Sequence, residues 1–265
     1  MSSRAILASI VTLLMVFIYA PLIVAVLFAF NGGDNLTLPL QGWSLRWFRL
    51  LIEDPAFARS ISNSAIVAFA TACTACVIGA MAAYALARRK TRVYRVIGAF
   101  SQVPVMLPPL LIGVSMLATL AALGIPLSLN TVVVGHLVVV VPYVVVIVSA
   151  QMQSIDHALE EAAYDLGAAP GEVIRRIVLP LLGTALAGSA ILAFAFSFDE
   201  TLVTTFTAGS EPTLPLFVMS RMRRTIDPSV NAVATVLLVL PWVATLFGAG
   251  LIRRTSFSAW QRKKE

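Results

Sequence analysis

The sequence of 265 residues predicts an all-α membrane protein whose chain crosses the bilayer six times. Hydrophobic residues make up 59% of it and charged residues 12%, whereas soluble domains hold roughly 45–50% and 25%. The mean hydropathy is +0.90. Six segments are apolar over the ~20 residues that a helix needs to cross a hydrocarbon core of ~30 Å. The composition excludes a soluble enzyme, a disordered chain and a collagen-like repeat.

The six predicted spans leave two long external loops and one long internal loop. The first span is longer than the ~7–15 residues of a signal-peptide core and has no small-residue cleavage site after it, so we expect it to be retained. The predicted spans cover about residues 6–30, 61–87, 97–123, 131–152, 184–208 and 230–252, the external loops residues 31–60 and 209–229, and the internal loop residues 153–183.

The distribution of Lys and Arg between the spans predicts that both termini face the cytoplasm. Thirteen of these residues fall on the side of the termini and six on the other side. Cytoplasmic loops carry the basic excess in membrane proteins. This excess also accounts for the net charge of +6, so we expect no nucleic acid as a partner.

The sequence has no motif of a catalytic site. It contains neither a G-x-x-x-x-G-K-[ST] loop for ATP nor a G-x-S-x-G nucleophile turn. Cys73 and Cys76 lack the further ligands that a metal would need, so we interpret them as small apolar side chains. His136 stands alone among valines, which favours a packed, hydrogen-bonded side chain. We expect no catalytic residue, metal or cofactor in this chain.

Asp199 and Glu200 are the only acidic residues inside the six apolar segments. A carboxylate in the membrane costs free energy unless it faces a cavity or a partner. The pair therefore marks either a solute path or a structural contact at a hydrated helix end. On a continuous helix Glu200 shares a face with Ser197 and Thr201, whereas Asp199 points away. Either the helix is interrupted here, or Asp199 meets another span or subunit.

Three prolines lie in the third predicted span: Pro104, Pro108 and Pro109. Proline is commoner in membrane helices than in soluble ones. We interpret the three as packing kinks within one span.

The long internal loop predicts two short helices. Gly167 lies where a helix C-terminus favours a positive φ, and Pro170 suits the first turn of the next helix. Pro180 is expected to end that second helix. The acidic residues of the first helix argue against its lying on an anionic lipid surface.

Residues at fixed spacing in this loop resemble the EAA loop of bacterial ABC importer permeases. They are Glu161, Ala162, Ala163, Gly167, Ile177, Leu179 and Pro180. In that family the loop forms coupling helices that insert into a cleft on the ATPase subunits. The resemblance implies that Glu161, Ala162, Ala163 and Gly167 meet two ATPase subunits, which bind the ATP and Mg²⁺. A coincidental match in a helix linker is the alternative.

The resemblance extends to residues 41–51, 197–200, 213–215 and 228–235, and it is to the second permease subunit of the spermidine/putrescine branch. It implies a single transmembrane domain over residues 1–265 in the bacterial inner membrane. It also implies a second permease subunit, an external solute-binding protein and the lipid bilayer as partners. The chain would be the permease part of an ATP-hydrolysing complex and not itself an enzyme.

The substrate that the resemblance implies is a small cation such as spermidine or putrescine. Trp47 either anchors the first external loop at the membrane interface or contacts the substrate or the binding protein. Polyamine members often carry an acid where Pro109 stands here. Another small solute, such as an aminophosphonate or an iron complex, is the alternative within the family, and a secondary carrier or channel is the alternative outside it. We assign five residues to the path: Ser197, Asp199, Glu200, Thr201 and Trp47.

Overall fold

The computed structural model describes residues 3–89, 91–224 and 227–261, and these residues form helices joined by loops, without a β-strand. The predicted all-α class is confirmed. Five helical segments are long and apolar enough to cross a membrane. They are α1 (Ser3–Ala29), α3 (Pro55–Arg88), α7 (Leu129–Gln153), the segment Pro170–Asp199 and the apolar part of α13 (Pro228–Gln261).

The third predicted span is broken and not merely kinked, so the interpretation of its three prolines as packing kinks was wrong. It consists of α4 (Arg92–Ser101), α5 (Val103–Met106) and α6 (Pro109–Ala122), with a bend of 105° between Met106 and Pro109. A residue that precedes proline is forced out of the α region. Leu107 and Pro108 both precede a proline and both are extended, with ψ of 138° and 133°. Two prolines in succession therefore break the span where a single one would kink it.

The prediction that Pro180 ends a helix was also wrong. The segment Pro170–Asp199 contains α9 (Pro170–Val173), a π-helical turn at Ile174–Val178 and α10 (Leu179–Asp199) without interruption. A proline inside an α-helix removes one hydrogen bond and clashes with the carbonyl four residues earlier. The wider π turn directly before Pro180 changes that spacing, so the helix continues through the proline.

The centre of the molecule is formed by α3, α7 and α10. Small residues allow α3 and α7 to approach closely: a Cβ atom on Gly79 would lie 2.5 Å from Cγ1 of Val144. Ala75, Ala83 and Val148 of the same two helices are fully buried. On the outside, α1 contacts α13 and is exposed along most of its length.

Shorter helices occupy the loops. The loop predicted to be the first external one contains α2 (Arg46–Ile52), and the loop predicted to be the second contains α12 (Leu214–Arg224). The loop predicted to be internal contains α8 (Ala158–Asp165) before the long helical segment begins, and α11 (Leu202–Thr207) follows that segment after a short break.

Candidate functional site

A cavity of about 650 Å³ lies beside the break between α10 and α11. Residues of α1, α6, α7, α10 and α13 line it, and most of their side chains are apolar. Three aromatic side chains belong to this lining, namely Tyr143, Phe196 and Trp242. Asp199 and Glu200 also line the cavity. A space of this size with a few polar groups has the character of a small-molecule site.

The helix is interrupted at the acidic pair, which is one of the two arrangements that the sequence left open. The backbone of Glu200 is extended, with φ −69° and ψ 111°, and α11 begins at Leu202. The Oε1 atom of Glu200 accepts hydrogen bonds from the backbone N–H groups of Leu202, at 2.8 Å, and Val203, at 3.0 Å. The Glu200 carboxylate thus satisfies N–H groups that a helix start leaves without partners.

The carboxylate of Asp199 is in a different situation. The side chain is exposed, and none of the described residues donates a hydrogen bond to it. The prediction that Asp199 points away from the face of Glu200 assumed a continuous helix, and the break removes that assumption. Both residues line the same cavity. Of the two carboxylates, that of Asp199 remains available to bind a solute.

His136 of α7 connects the two sides of the break. Its Nδ1 atom lies 2.7 Å from Oγ of Ser197 in α10, and its Nε2 atom lies 2.8 Å from Oγ1 of Thr204 in α11. The imidazole is 1% exposed, which confirms the prediction of a packed, hydrogen-bonded histidine. Nothing in the sequence predicted that its partners are hydroxyl groups of the fifth predicted span.

The direction of these hydrogen bonds follows from the single proton on each hydroxyl. Thr204 Oγ1 donates its proton to the backbone oxygen of Glu200, at 2.6 Å. It therefore accepts from Nε2–H of His136, and the Nδ1 atom of a neutral imidazole then accepts from the hydroxyl of Ser197. The neutral form of the imidazole is thus the Nε2–H tautomer. The resulting chain of hydrogen bonds runs from α10 through α7 to α11 and ends at the backbone oxygen of Glu200.

The other predicted path residues do not line the cavity. Ser197 is buried and bonded to His136, and Thr201 donates its hydroxyl proton to the backbone oxygen of Asp199 at 3.2 Å. Trp47 of α2 is buried, and its Nε1–H donates to the backbone oxygen of Asn31 at 2.8 Å. It therefore holds the two ends of the loop after α1 together. The structure brings Ser197, Asp199, Glu200 and Thr201 together and leaves Trp47 apart.

The segment that resembles the EAA loop contains α8 and the turn after it. Glu161, Ala162 and Gly167 are exposed and Ala163 is partly buried. Gly167 has φ of +83°, so the predicted positive φ is confirmed. Its N–H donates to the oxygen of Tyr164 at 2.9 Å, which closes the end of α8. The exposed residues leave one side of α8 open to another molecule.

The opposite side of α8 is held to α3 by a buried ion pair that the sequence did not predict. Glu160 is 1% exposed, and its Oε1 atom lies 2.6 Å from a terminal guanidinium nitrogen of Arg88. The hydroxyl of Tyr84 donates to Oε2 of Glu160 at 3.0 Å. A signal was present in the sequence, since a basic residue ends the second predicted span and an acid begins the internal helix. Their pairing depends on how the two helices are rotated.

A family of transport proteins matches most of this sequence. The family described as binding-protein-dependent transport system inner membrane component matches residues 75–257. The putrescine transport system permease protein PotI of Escherichia coli K12 is 33% identical over 230 residues, which are 84% of this chain and 82% of that protein. The spermidine/putrescine transport system permease protein PotC of the same organism is 31% identical over 247 residues, 93% of each chain.

Solved structures of ABC transporters have the same fold. A chain of the inward-facing MetNI methionine ABC transporter superimposes with a TM-score of 0.65 at 20% identity, over 80% of this chain and 98% of that one. A chain of the bacterial alginate ABC transporter, in complex with an alginate pentasaccharide-bound periplasmic protein, gives a TM-score of 0.74 at 16% identity. It covers 95% of this chain and 94% of that one.

We expect His136 and Thr204 to be coupled in a double-mutant cycle. His136→Ala and Thr204→Val each remove one partner of the same buried hydrogen bond, so their effects on the free energy of unfolding should fall short of additivity by about 1–2 kcal/mol. The measurement is denaturant unfolding of the purified chain in mixed micelles. Thr205→Val is the matched control, because Thr205 also bonds a carbonyl of its own helix but is exposed. Additive effects of His136→Ala and Thr204→Val would contradict the assigned hydrogen bond.

Removal of the Glu160 carboxylate should destabilise the chain because it leaves the Arg88 guanidinium, which is only 13% exposed, without its anionic partner. We expect Glu160→Ala to lower the free energy of unfolding by about 3 kcal/mol. The same change at Glu161, which forms only an exposed pair with His157, should cost less than about 1 kcal/mol. The double change Arg88→Met with Glu160→Leu should recover most of the loss. Equal losses in the free energy of unfolding for Glu160→Ala and Glu161→Ala would show that the ion pair between Glu160 and Arg88 contributes nothing to stability.

Proposed function

This chain belongs to the family of binding-protein-dependent transport system inner membrane components, and from that membership we propose that it is the permease subunit of an ABC importer for polyamines. The observation that supports this substrate class is the position of two carboxylates at a broken helix beside an aromatic cavity. The relatives PotI and PotC, named for putrescine and for spermidine/putrescine transport, support the same class.

The chemistry of the cavity suits a polyamine. Such a molecule has ammonium groups separated by methylene chains, so it needs anionic and apolar surface side by side. A carboxylate replaces the water that an ammonium group loses, since an unpaired charge away from water is costly. The rings of Tyr143, Phe196 and Trp242 add faces that attract cations. No described Lys or Arg lines the cavity, which disfavours an anionic solute such as an aminophosphonate.

The two acids have different tasks in this proposal. Asp199 is the direct contact for an ammonium group, because no described residue bonds its carboxylate. Glu200 keeps α11 in place through its two backbone hydrogen bonds and adds negative charge beside the cavity. On a continuous helix Asp199 would point away from the face of Glu200, and the break is what allows Asp199 to line the cavity.

The ATP-driven part of the cycle belongs to partner subunits. Two ATPase subunits bind ATP and Mg²⁺ and meet Glu161, Ala162, Ala163 and Gly167 on the exposed side of α8. A second permease subunit completes the path, and an external binding protein delivers the solute. The basic excess on the side of α8 supports a cytoplasmic position for this helix and for both termini. A secondary carrier would have no use for such a docking segment.

Loss of the Asp199 charge should lower polyamine uptake. We expect Asp199→Asn to reduce the uptake of labelled putrescine about tenfold or more, because a hydrogen bond to a charged group contributes roughly 1.5–3 kcal/mol. Glu200→Gln should cost less, since the amide oxygen can still accept the N–H groups of α11. The assay is uptake into cells that produce the chain with its partner subunits, normalised to assembled complex.

A matched control for this assay is Asp34→Asn in the first external loop, where Asp34 pairs with Arg46 away from the cavity. Uptake by this variant should be normal. Unchanged uptake by both Asp199→Asn and Glu200→Gln would rule out a polyamine path along this cavity. Uptake of a neutral solute by the unmodified complex would then identify the transported class.

Distortion of the turn after α8 should separate ATP hydrolysis from transport. Val at position 167 is strained at φ +83°, so Gly167→Val should misplace the exposed side of α8. We expect an ATPase subunit to copurify with the tagged chain, and the Gly167→Val complex to transport at less than about one fifth of the normal rate per ATP hydrolysed. Gly171→Val is the control, because Gly171 has no positive φ and no atom within 4 Å of a Cβ. Normal transport by the Gly167→Val complex would refute the coupling role.

A further inference from the structure

The helix α4 is amphipathic and uncovered. None of its residues is buried, and one side presents the apolar side chains of Val93, Val96, Ile97 and Phe100, which are 47–71% exposed. Arg92 and Arg95 lie on the same short helix. A helix with one apolar side and a basic polar side is typical of the boundary between lipid tails and headgroups.

The direction of α4 agrees with this position. Residues Arg92–Met106 are bent by 105° from α6, so the two parts do not cross the bilayer along one axis. Two segments at this angle cannot both run along the membrane normal, and the amphipathic α4 is the one suited to the membrane plane. Gly98 allows α4 to lie on the end of α3, since a Cβ atom there would be only 3.1 Å from Cδ2 of Leu86.

A second cavity, of about 390 Å³, opens between α4 and the ends of α3 and α7. Six of its lining residues have polar side chains: Arg89, Thr91, Tyr94, Arg95, Ser149 and Gln153. No described acidic residue lines it. The cavity lies at the membrane end where the basic residues are concentrated, the end that we assign to the cytoplasm.

The polar groups of this second cavity lack partners within the described part of the chain. The guanidinium groups of Arg89 and Arg95 form no ion pair there, and Arg89 instead lies 5.7 Å from the ring centre of Tyr94. The hydroxyl groups of Thr91 and Tyr94 belong to the same lining. Two cations and two hydroxyl groups around one open space fit an anion with several oxygen atoms.

We propose that this second cavity binds the phosphate group of an anionic phospholipid. The arginines pair with the phosphate, and the hydroxyl groups donate to its oxygen atoms. The acyl chains extend along the exposed apolar side of α4, which no part of the described chain covers. This apolar side distinguishes a lipid from free phosphate, since a free ion has no use for it. Basic pockets between membrane helices on the cytoplasmic side bind anionic headgroups in this manner.

The test is native mass spectrometry of the full-length chain in mild detergent, with phosphatidylglycerol or phosphatidylcholine of identical acyl chains added. We expect retention of phosphatidylglycerol over phosphatidylcholine. Arg89→Gln and Arg95→Gln should each weaken phosphatidylglycerol binding about fivefold. Arg92→Gln is the matched control, because Arg92 has the same charge on the same helix but does not line the cavity. Its effect should stay within about twofold.

A further variant keeps every charge of the chain. Its effect on phosphatidylglycerol binding therefore cannot come from a change of net charge or from misfolding caused by the loss of an arginine. Ser149→Leu fills the wall of the cavity, and it should also weaken phosphatidylglycerol binding severalfold. Equal losses from Arg89→Gln, Arg95→Gln and Arg92→Gln would indicate diffuse attraction and overturn the site. Equal retention of both lipids would overturn it as well. Displacement of the lipid by millimolar inorganic phosphate would assign the pocket to the free ion and refute the lipid proposal.

Discussion

The requirement that every buried backbone polar group find a partner controls this structure, and the break after α10 depends on it. A helix that stops inside a membrane leaves N–H and C=O groups that lipid cannot satisfy. Here side chains take over: Glu200 accepts from the first N–H groups of α11, and Thr204 donates to the backbone oxygen of Glu200. His136 then holds Thr204 and Ser197 together across the gap. The acidic pair can stand at this break because the surrounding residues satisfy the interrupted backbone.

A second break, with a different cause, meets the same cavity. The α6 helix begins at Pro109 because two successive prolines exclude a helical backbone at the residues before them. Pro109 lines the cavity together with Asp199 and Glu200. Irregular backbone at membrane depth is tolerated where it borders protein or a water-filled space rather than lipid. Both interruptions therefore lie where such a backbone is least costly. The π turn before Pro180 needs no such space, because its hydrogen bonds stay within the helix.

The sequence predicted features that depend on local chemistry. Apolar length predicted five of the six spans, the cost of a buried charge predicted a possible interruption at Asp199 and Glu200, and the end of a helix predicted the positive φ of Gly167. Features that depend on how separate helices are rotated were missed. His136 pairs with residues more than sixty positions away, and Glu160 pairs with Arg88 across two different elements. The break at Pro108 was missed because proline spacing alone does not distinguish a kink from a bend of 105°.

The ion pair of Glu160 and the hydrogen bonds of His136, neither of which the sequence predicted, are connected through the helices that lie between them. Glu160 joins α8 to the end of α3, and α3 contacts α7 so closely that Gly79 and Val144 leave no room for a methyl group. His136 then joins α7 to both sides of the break. A close-packed interior has little compressibility, so α8, α3 and α7 are joined by contacts that resist separate movement. In the proposed complex, a displacement of α8 by an ATPase subunit would therefore reach the acidic pair through polar contacts at both ends and tight helix packing between them.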